Sequence, residues 1–184
     1  MAETHTRHEW DEPVFEYEEE AFATMLNVTL DPGEILDASA APEASLPEPN
    51  EGVVSFIGLA GAWAGTGTIM CSAALACRIC SQMLMTEAKS VDEEVLDAIA
   101  ELTNIVIGSV KNDLEKELGP LGLSIPSVIF GRNFKTKSSA HAQWVVERFQ
   151  WDGENFLVKL CLAPNEKQAA PHTIGQTCPI DVKV

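Results

Sequence analysis

The stretch Asp97-Ala-Ile-Ala-Glu101-Leu-Thr-Asn104-Ile-Val-Ile-Gly108 decides how this chain is read. At ~100° per residue on a helix, Asp97, Glu101, Asn104 and Gly108 fall within roughly 60° of one another. Val95, Ile99, Leu102 and Val106 fall on the opposite side, and Ile105 and Ile107 flank the polar stripe. A merely solvated face would be broad and rich in Lys and Glu. This one is narrow and carries a carboxylate and a carboxamide three residues apart, which reads as a presented constellation. Ser90 and Glu93 have the spacing of a capping box, and Gly119-Pro120 is a stop. Asp92 and Glu93 at one end, and Lys111 and Lys116 toward the other, suit the helix dipole. The signals predict one helix of more than seven turns.

Length and composition predict a single domain. The chain has 184 residues, 46% of them hydrophobic, enough for one substantial core. Its formal net charge is −16, from 28 acidic and 12 basic residues. That excludes the phosphate-neutralising surface a nucleic-acid binder needs and disfavours an anionic membrane surface. No apolar run approaches the ~20 residues that span a bilayer, and Met1-Ala-Glu-Thr-His-Thr-Arg-His has no signal-peptide core. The expected location is the cytoplasm. The five cysteines, Cys71, Cys77, Cys80, Cys161 and Cys178, are odd in number and lie mostly in apolar runs. Cys77-Arg-Ile-Cys80 is formally C-x-x-C, but it has no second pair or nearby histidine. It reads as one stretch of an amphipathic helix in which Cys packs as a small hydrophobe. No intrinsic metal site is expected.

Around the central helix the elements fall in order. Residues 1–13 are a polar, acidic tail, and the pair His5 and His8 in it has no cage. Phe15, Phe22, Met25, Leu26 and Leu30 predict a first helix over 14–30. The Pro/Ala/Glu-rich segment 38–52 is a long loop. Two strands over 53–60 and 64–71 form a bent hairpin punctuated by Gly58, Gly61, Gly65 and Gly67. Those glycines lack the spacing of a phosphate-binding loop. Ser72 caps a helix through about Met85, with Leu75, Ile79, Met83 and Leu84 on one side. Strands at 123–132, 141–150 and 155–162 follow, the last two joined at Asp152-Gly153. Residues 164–184 read as a loose tail. The fold expected is α/β (α+β): a two-layer sandwich with an antiparallel-rich sheet and long helices on one face, in a domain over 14–163.

The run Glu101-Leu-Thr-Asn104-Ile-Val-Ile-Gly108-Ser-Val-Lys111 resembles the signature helix of the CheC/CheX/FliY chemotaxis phosphatases, the CheX branch most of all. That family's pattern is Asp or Ser, three residues, Glu, two residues, Asn, and a proline about two dozen residues on. Asp97, Glu101 and Asn104 match it, and Pro126 stands one residue short of the proline's spacing. The chain carries one such helix, where the CheC branch carries two. The resemblance implies dephosphorylation of the phosphoaspartate of a CheY-type response-regulator receiver. It also implies Glu101 and Asn104 as the catalytic pair and a homodimer joined through its sheets. The cofactor would be none of its own, with Mg²⁺ brought by the receiver.

Residue chemistry is compatible with that reading. No nucleophile–base pair lies on the helix, so an acid and an amide would have to act on a bond already labile. An acyl phosphate is such a bond, and what it lacks is a positioned water. A carboxamide offers donor and acceptor without titrating, which suits Asn104. Glu101 can pair with the receiver's lysine. Asp97, Gly108 and Lys111 are the candidate partner-binding residues. Asp97 is either the rim of the site or simply solvated. Gly108 either admits partner backbone or serves packing inside the protein. The alternative function is a non-catalytic signalling or adaptor domain that binds a receiver or motor-switch protein.

Overall fold

The computed structural model describes residues 31–35, 51–132, 143–151 and 153–165. The elements are β1 (Asp31–Ile35), β2 (Glu51–Gly61), β3 (Trp63–Ser72), α1 (Ala73–Leu84), α2 (Glu93–Leu118), β4 (Leu121–Leu123), β5 (Ser127–Arg132), β6 (Gln143–Trp151) and β7 (Glu154–Pro164). The strands form one sheet in the order β1-β6-β7-β3-β2-β4, with β5 also paired to β2. Every pairing is antiparallel. The expected α+β sandwich is what the chain forms. Val53, Ile57, Leu59, Ile69, Val145, Phe149, Phe156, Val158, Leu160 and Leu162 join the buried faces of both helices in one core. Phe149 and Phe156 are paired in register and stack with ring centroids 5.2 Å apart.

The sequence-based boundaries are corrected at several places. Ser90 does not cap α2; Asp92 does, its side chain accepting from the Val95 N–H at 3.1 Å. Starting there puts Glu93 and Glu94 in the first turn, where the helix dipole favours them. Leu84 does not join the buried side of α1 and is 43% exposed. The strand expected over 123–132 is two strands. Between them the Ser124 N–H donates to the Gly58 carbonyl, and Ser124 Oγ accepts from the Gly58 N–H. Pro126, with no N–H for the ladder, cannot continue the pairing. Glu51 and Gly52 belong to β2 rather than to a loop. β1 was not expected: Pro32 and Gly33 disfavour a strand interior, but an edge tolerates proline. Glu147 is buried on the core side of β6, opposite Val158. The tail over 1–13, the helix over 14–30, most of the 38–52 loop and the C-terminal tail after Asn165 lie outside the described residues.

One contact sets how α2 lies on the sheet. Ile107 is fully buried while Ile105, on the other flank of the stripe, is half-buried. The seat of Ile107 is Gly67 on β3, where an added Cβ would come within 2.7 Å of the isoleucine side chain. No other residue type leaves room there. With Ile107 seated there, the helix buries Val95, Ile99, Leu102 and Val106 and leaves Asp97, Glu101 and Asn104 exposed. A second contact fixes the end of α2. Glu115 accepts from the Leu121 N–H at 2.8 Å and pairs with Lys111 at 2.8 Å. Gly119, at φ +79°, turns the chain between them.

Gly67→Ala should displace Ile107 and cost about 1–3 kcal/mol, as overpacking does. Urea unfolding reads it, and an unchanged midpoint would contradict the seat. The hydrogen bond from Lys111, and next that from the Leu121 N–H, hold the Glu115 carboxyl below its ordinary 4.5. A depressed folded-state pKa gives stability present above the unfolded value and lost as pH falls through the folded one. Glu115→Gln should therefore flatten the loss of stability on acidification below pH 4.5. Parallel acid-unfolding curves for the two proteins would remove the clamp.

Candidate functional site

The exposed edge of α2 presents its polar groups one turn at a time. Asp97, Glu101 and Asn104 are all exposed, and Gly108 follows in a half-buried position. At 1.5 Å per residue the four positions span about 16 Å. Among the described residues no side chain bonds to Glu101 or Asn104, so both can meet a partner without breaking an internal contact. The backbone beneath them is rigid, because the opposite face of the same turns is core.

Past Asn104 the stripe opens into a groove of about 380 Å³. Asn104, Ile105, Gly108, Ser109, Lys111 and Asn112 of α2 line one side, and Leu123 of β4 lines the other. The structure thus brings together three of the five predicted residues, Asn104, Gly108 and Lys111. Glu101 precedes the groove by one turn, and Asp97 lies a further turn away. Lys111 is less available than its sequence position suggests. Its side chain is only 19% exposed and is held by Glu115. The groove lining therefore carries a compensated cation and two neutral amides.

Gly108 answers one of the alternatives left open by the sequence. A Cβ added there would meet only Leu123 Cδ1, at 3.7 Å, an ordinary contact. Packing inside the described protein does not demand the glycine. Ser109, Asn112 and Leu123 were missed by the sequence reading. Asn112 was findable, because it lies eight residues beyond Asn104 and so near the same face. Leu123 was not, because its place depends on how β4 pairs with β2.

The thiols are not part of this site. Cys77 and Cys80 are buried within the core on α1. Burial raises both thiols, helped by Asp92 beside Cys77 and by Glu94 and Asp92 near Cys80. Burial, with Glu154, pushes Cys71 to about 12. Protonated, buried thiols are neither nucleophiles nor ready metal ligands. No group of three or more His, Cys, Asp and Glu side chains is placed to hold a metal among the described residues. His141 and His172 lie outside them. Among the described residues no helix is long and apolar enough to cross a membrane.

The arrangement is a neutral amide and a carboxylate, on a rigid helix, facing outward beside a groove. It has the parts to position water at a partner's reactive group. The family model for chemotaxis phosphatase CheX matches residues 53–150, more than half of the 184 residues. No curated protein sequence matches the chain. The fold is that of a CheC-like superfamily protein from Shewanella sp. PV-4, at 24% identity and TM-score 0.68, covering 86% of this chain and 99% of that one. CheX from Vibrio vulnificus matches at 23% identity and TM-score 0.68, covering 85% and 100%. The Borrelia burgdorferi CheX in a CheX–CheY–BeF3–Mg complex matches at 20% identity and TM-score 0.69, covering 85% and 99%. The matched region contains the whole of α2 with its exposed Glu101 and Asn104, and the chain belongs to the CheX family of chemotaxis phosphatases.

Proposed function

We propose that this protein dephosphorylates the phosphoaspartate of a CheY-type response-regulator receiver, in the cytoplasm. The observation that carries the reading is the outward pair Glu101 and Asn104 on a helix whose other face is core. A CheY partner is supported by the Borrelia burgdorferi relative, crystallised with CheY, BeF3 and Mg. In this mechanism α2 lies across the receiver's phosphorylation site. Asn104 donates and accepts through one carboxamide and holds a water in line with the phosphorus. Glu101, one turn earlier, pairs with the receiver's lysine and sets the helix in register. Asp97 extends that acidic contact toward the rim. Lys111, steadied by Glu115, faces the partner from the groove. Mg²⁺ belongs to the receiver and neutralises the phosphoryl oxygens there.

The homodimer also stands as a proposal. The C-terminal hairpin of β6 and β7 lies inside the sheet, because β1 pairs with β6 and β3 with β7. The described edges are β1 and the β4–β5 side. On β5 the side chains of Ile129 and Phe130 are 51% and 40% exposed. We assign the dimer contact to that edge, since an apolar edge strand needs cover.

Asn104→Ala should lower turnover by ~10²-fold or more with receiver affinity nearly intact, because its contribution belongs to the transition state. Glu101→Ala should weaken both binding and turnover, by about 5- to 150-fold, and the loss should shrink at high salt. The measurements are affinity for a BeF3-loaded receiver and the dephosphorylation rate of each variant. Full turnover in both variants would remove the catalytic assignment. Binding without turnover in the unmodified protein would select the adaptor reading. Light scattering at tens of micromolar should give twice the chain mass, falling to one chain mass for Ile129→Lys; a monomer before substitution would end the dimer proposal.

A further inference from the structure

We infer that the groove floored by Gly108 is a close-approach seat for a main-chain segment of the receiver, next to its phosphorylation site. The inference rests on the receiver reading and goes further by naming what the partner places beyond Asn104. Three observations carry it. A glycine in a helix interior is unfavourable relative to alanine, and here a Cβ would fit without strain against Leu123 at 3.7 Å. The described fold therefore gains nothing from the glycine, and the missing side chain serves the outer face. That face is the floor of a groove of about 380 Å³, continuous with Asn104.

The chemistry of the lining says what fits. Lys111 is already compensated by Glu115, and no carboxylate lines the groove. A strongly charged side chain would lose water there and gain no opposite charge. Ser109 supplies a hydroxyl, and Asn112, whose Oδ1 already accepts from Lys111 Nζ at 3.4 Å, supplies an amide donor. Ile105 and Leu123 supply the apolar sides. A peptide backbone presents one N–H and one C=O per residue, and it matches that set. A side chain at 108 would hold it away by the width of a methyl group.

Gly108→Ala tests the seat, because the fold and the interface want opposite things of it. The melting temperature should rise by about 2–4 °C. Affinity for a CheY-type receiver loaded with BeF3 and Mg²⁺ should fall at least tenfold. Ser109→Ala and Asn112→Ala should each weaken binding by a few fold without altering the melting temperature. A Gly108→Ala variant that binds as tightly as the unmodified protein overturns the inference. So does one that melts lower, since the glycine would then serve the fold. The failures are separable. If the unmodified protein does not bind the loaded receiver, the receiver reading falls and takes the seat with it. If it binds, and Asn104→Ala alone loses turnover while Gly108→Ala changes nothing, only the seat falls.

Discussion

Everything the site presents depends on how α2 is rolled, and that roll is set where Ile107 meets Gly67. A 26-residue helix with apolar groups around much of its circumference has no unique resting face on a sheet. Ile105 and Ile107 flank the polar stripe symmetrically, and hydrophobicity alone does not choose between them. The missing side chain at Gly67 does, because it leaves a depression in β3 that only one flank can fill. Once Ile107 is seated, Val95, Ile99, Leu102 and Val106 point into the core. Asp97, Glu101 and Asn104 then cannot be buried. The position of the candidate site is thus decided by packing about three residues away from it, on a different face of the helix.

The second constraint acts at the far end of the same helix. Glu115 ties Lys111 to the start of β4, and Ser124 ties the end of β4 to Gly58. β4 is only three residues long. Without those ties it would have little to hold it, yet it supplies Leu123, the wall of the groove. Ser72, Arg78 and Glu154 do similar work at the opposite corner. Ser72 caps α1 and also bonds Glu154, which pairs with Arg78 at 2.8 Å. Each end of the helical layer is thereby pinned to the sheet through a side chain that also serves a helix terminus.

How much of this could be read from the sequence follows from the range of each interaction. The long helix, its stop at Gly119 and the stripe of Asp97, Glu101 and Asn104 were legible, because helical periodicity is local. So were the Ser72 cap and the turn before Glu154. The pattern of residue types on α2 also carried the family resemblance. What stayed hidden depends on distant pairing. β1 looks too rich in Pro and Gly to be a strand until it has β6 beside it. The break between β4 and β5 needs Gly58, 66 residues before Ser124. Burial of Glu147 on the core side of β6 defeated simple alternation. The groove was invisible for the same reason, since Leu123 reaches α2 only through the pairing of β4 with β2.

The two halves of α2 face different problems, and their compositions follow. Asp92, Glu93, Glu94, Asp97 and Glu101 crowd the first half and are exposed. In a chain of net charge −16 such crowding is costly, but at a helix N-terminus the macrodipole offsets part of it. Two of these charges, Asp92 and Glu94, add to the burial that raises the thiols of Cys77 and Cys80. From Asn104 to Asn112 the groove-lining positions of this edge, Asn104, Ser109 and Asn112 among them, carry no carboxylate, and the next one, Glu115, is paired with Lys111. A carboxylate at 104 would repel a phosphoryl group and would titrate, while an amide does neither. Under the proposed function, the nearest unpaired carboxylate then stands one turn away from the position that would approach the phosphoryl group. That carboxylate is Glu101, which the proposed mechanism pairs with the receiver's lysine.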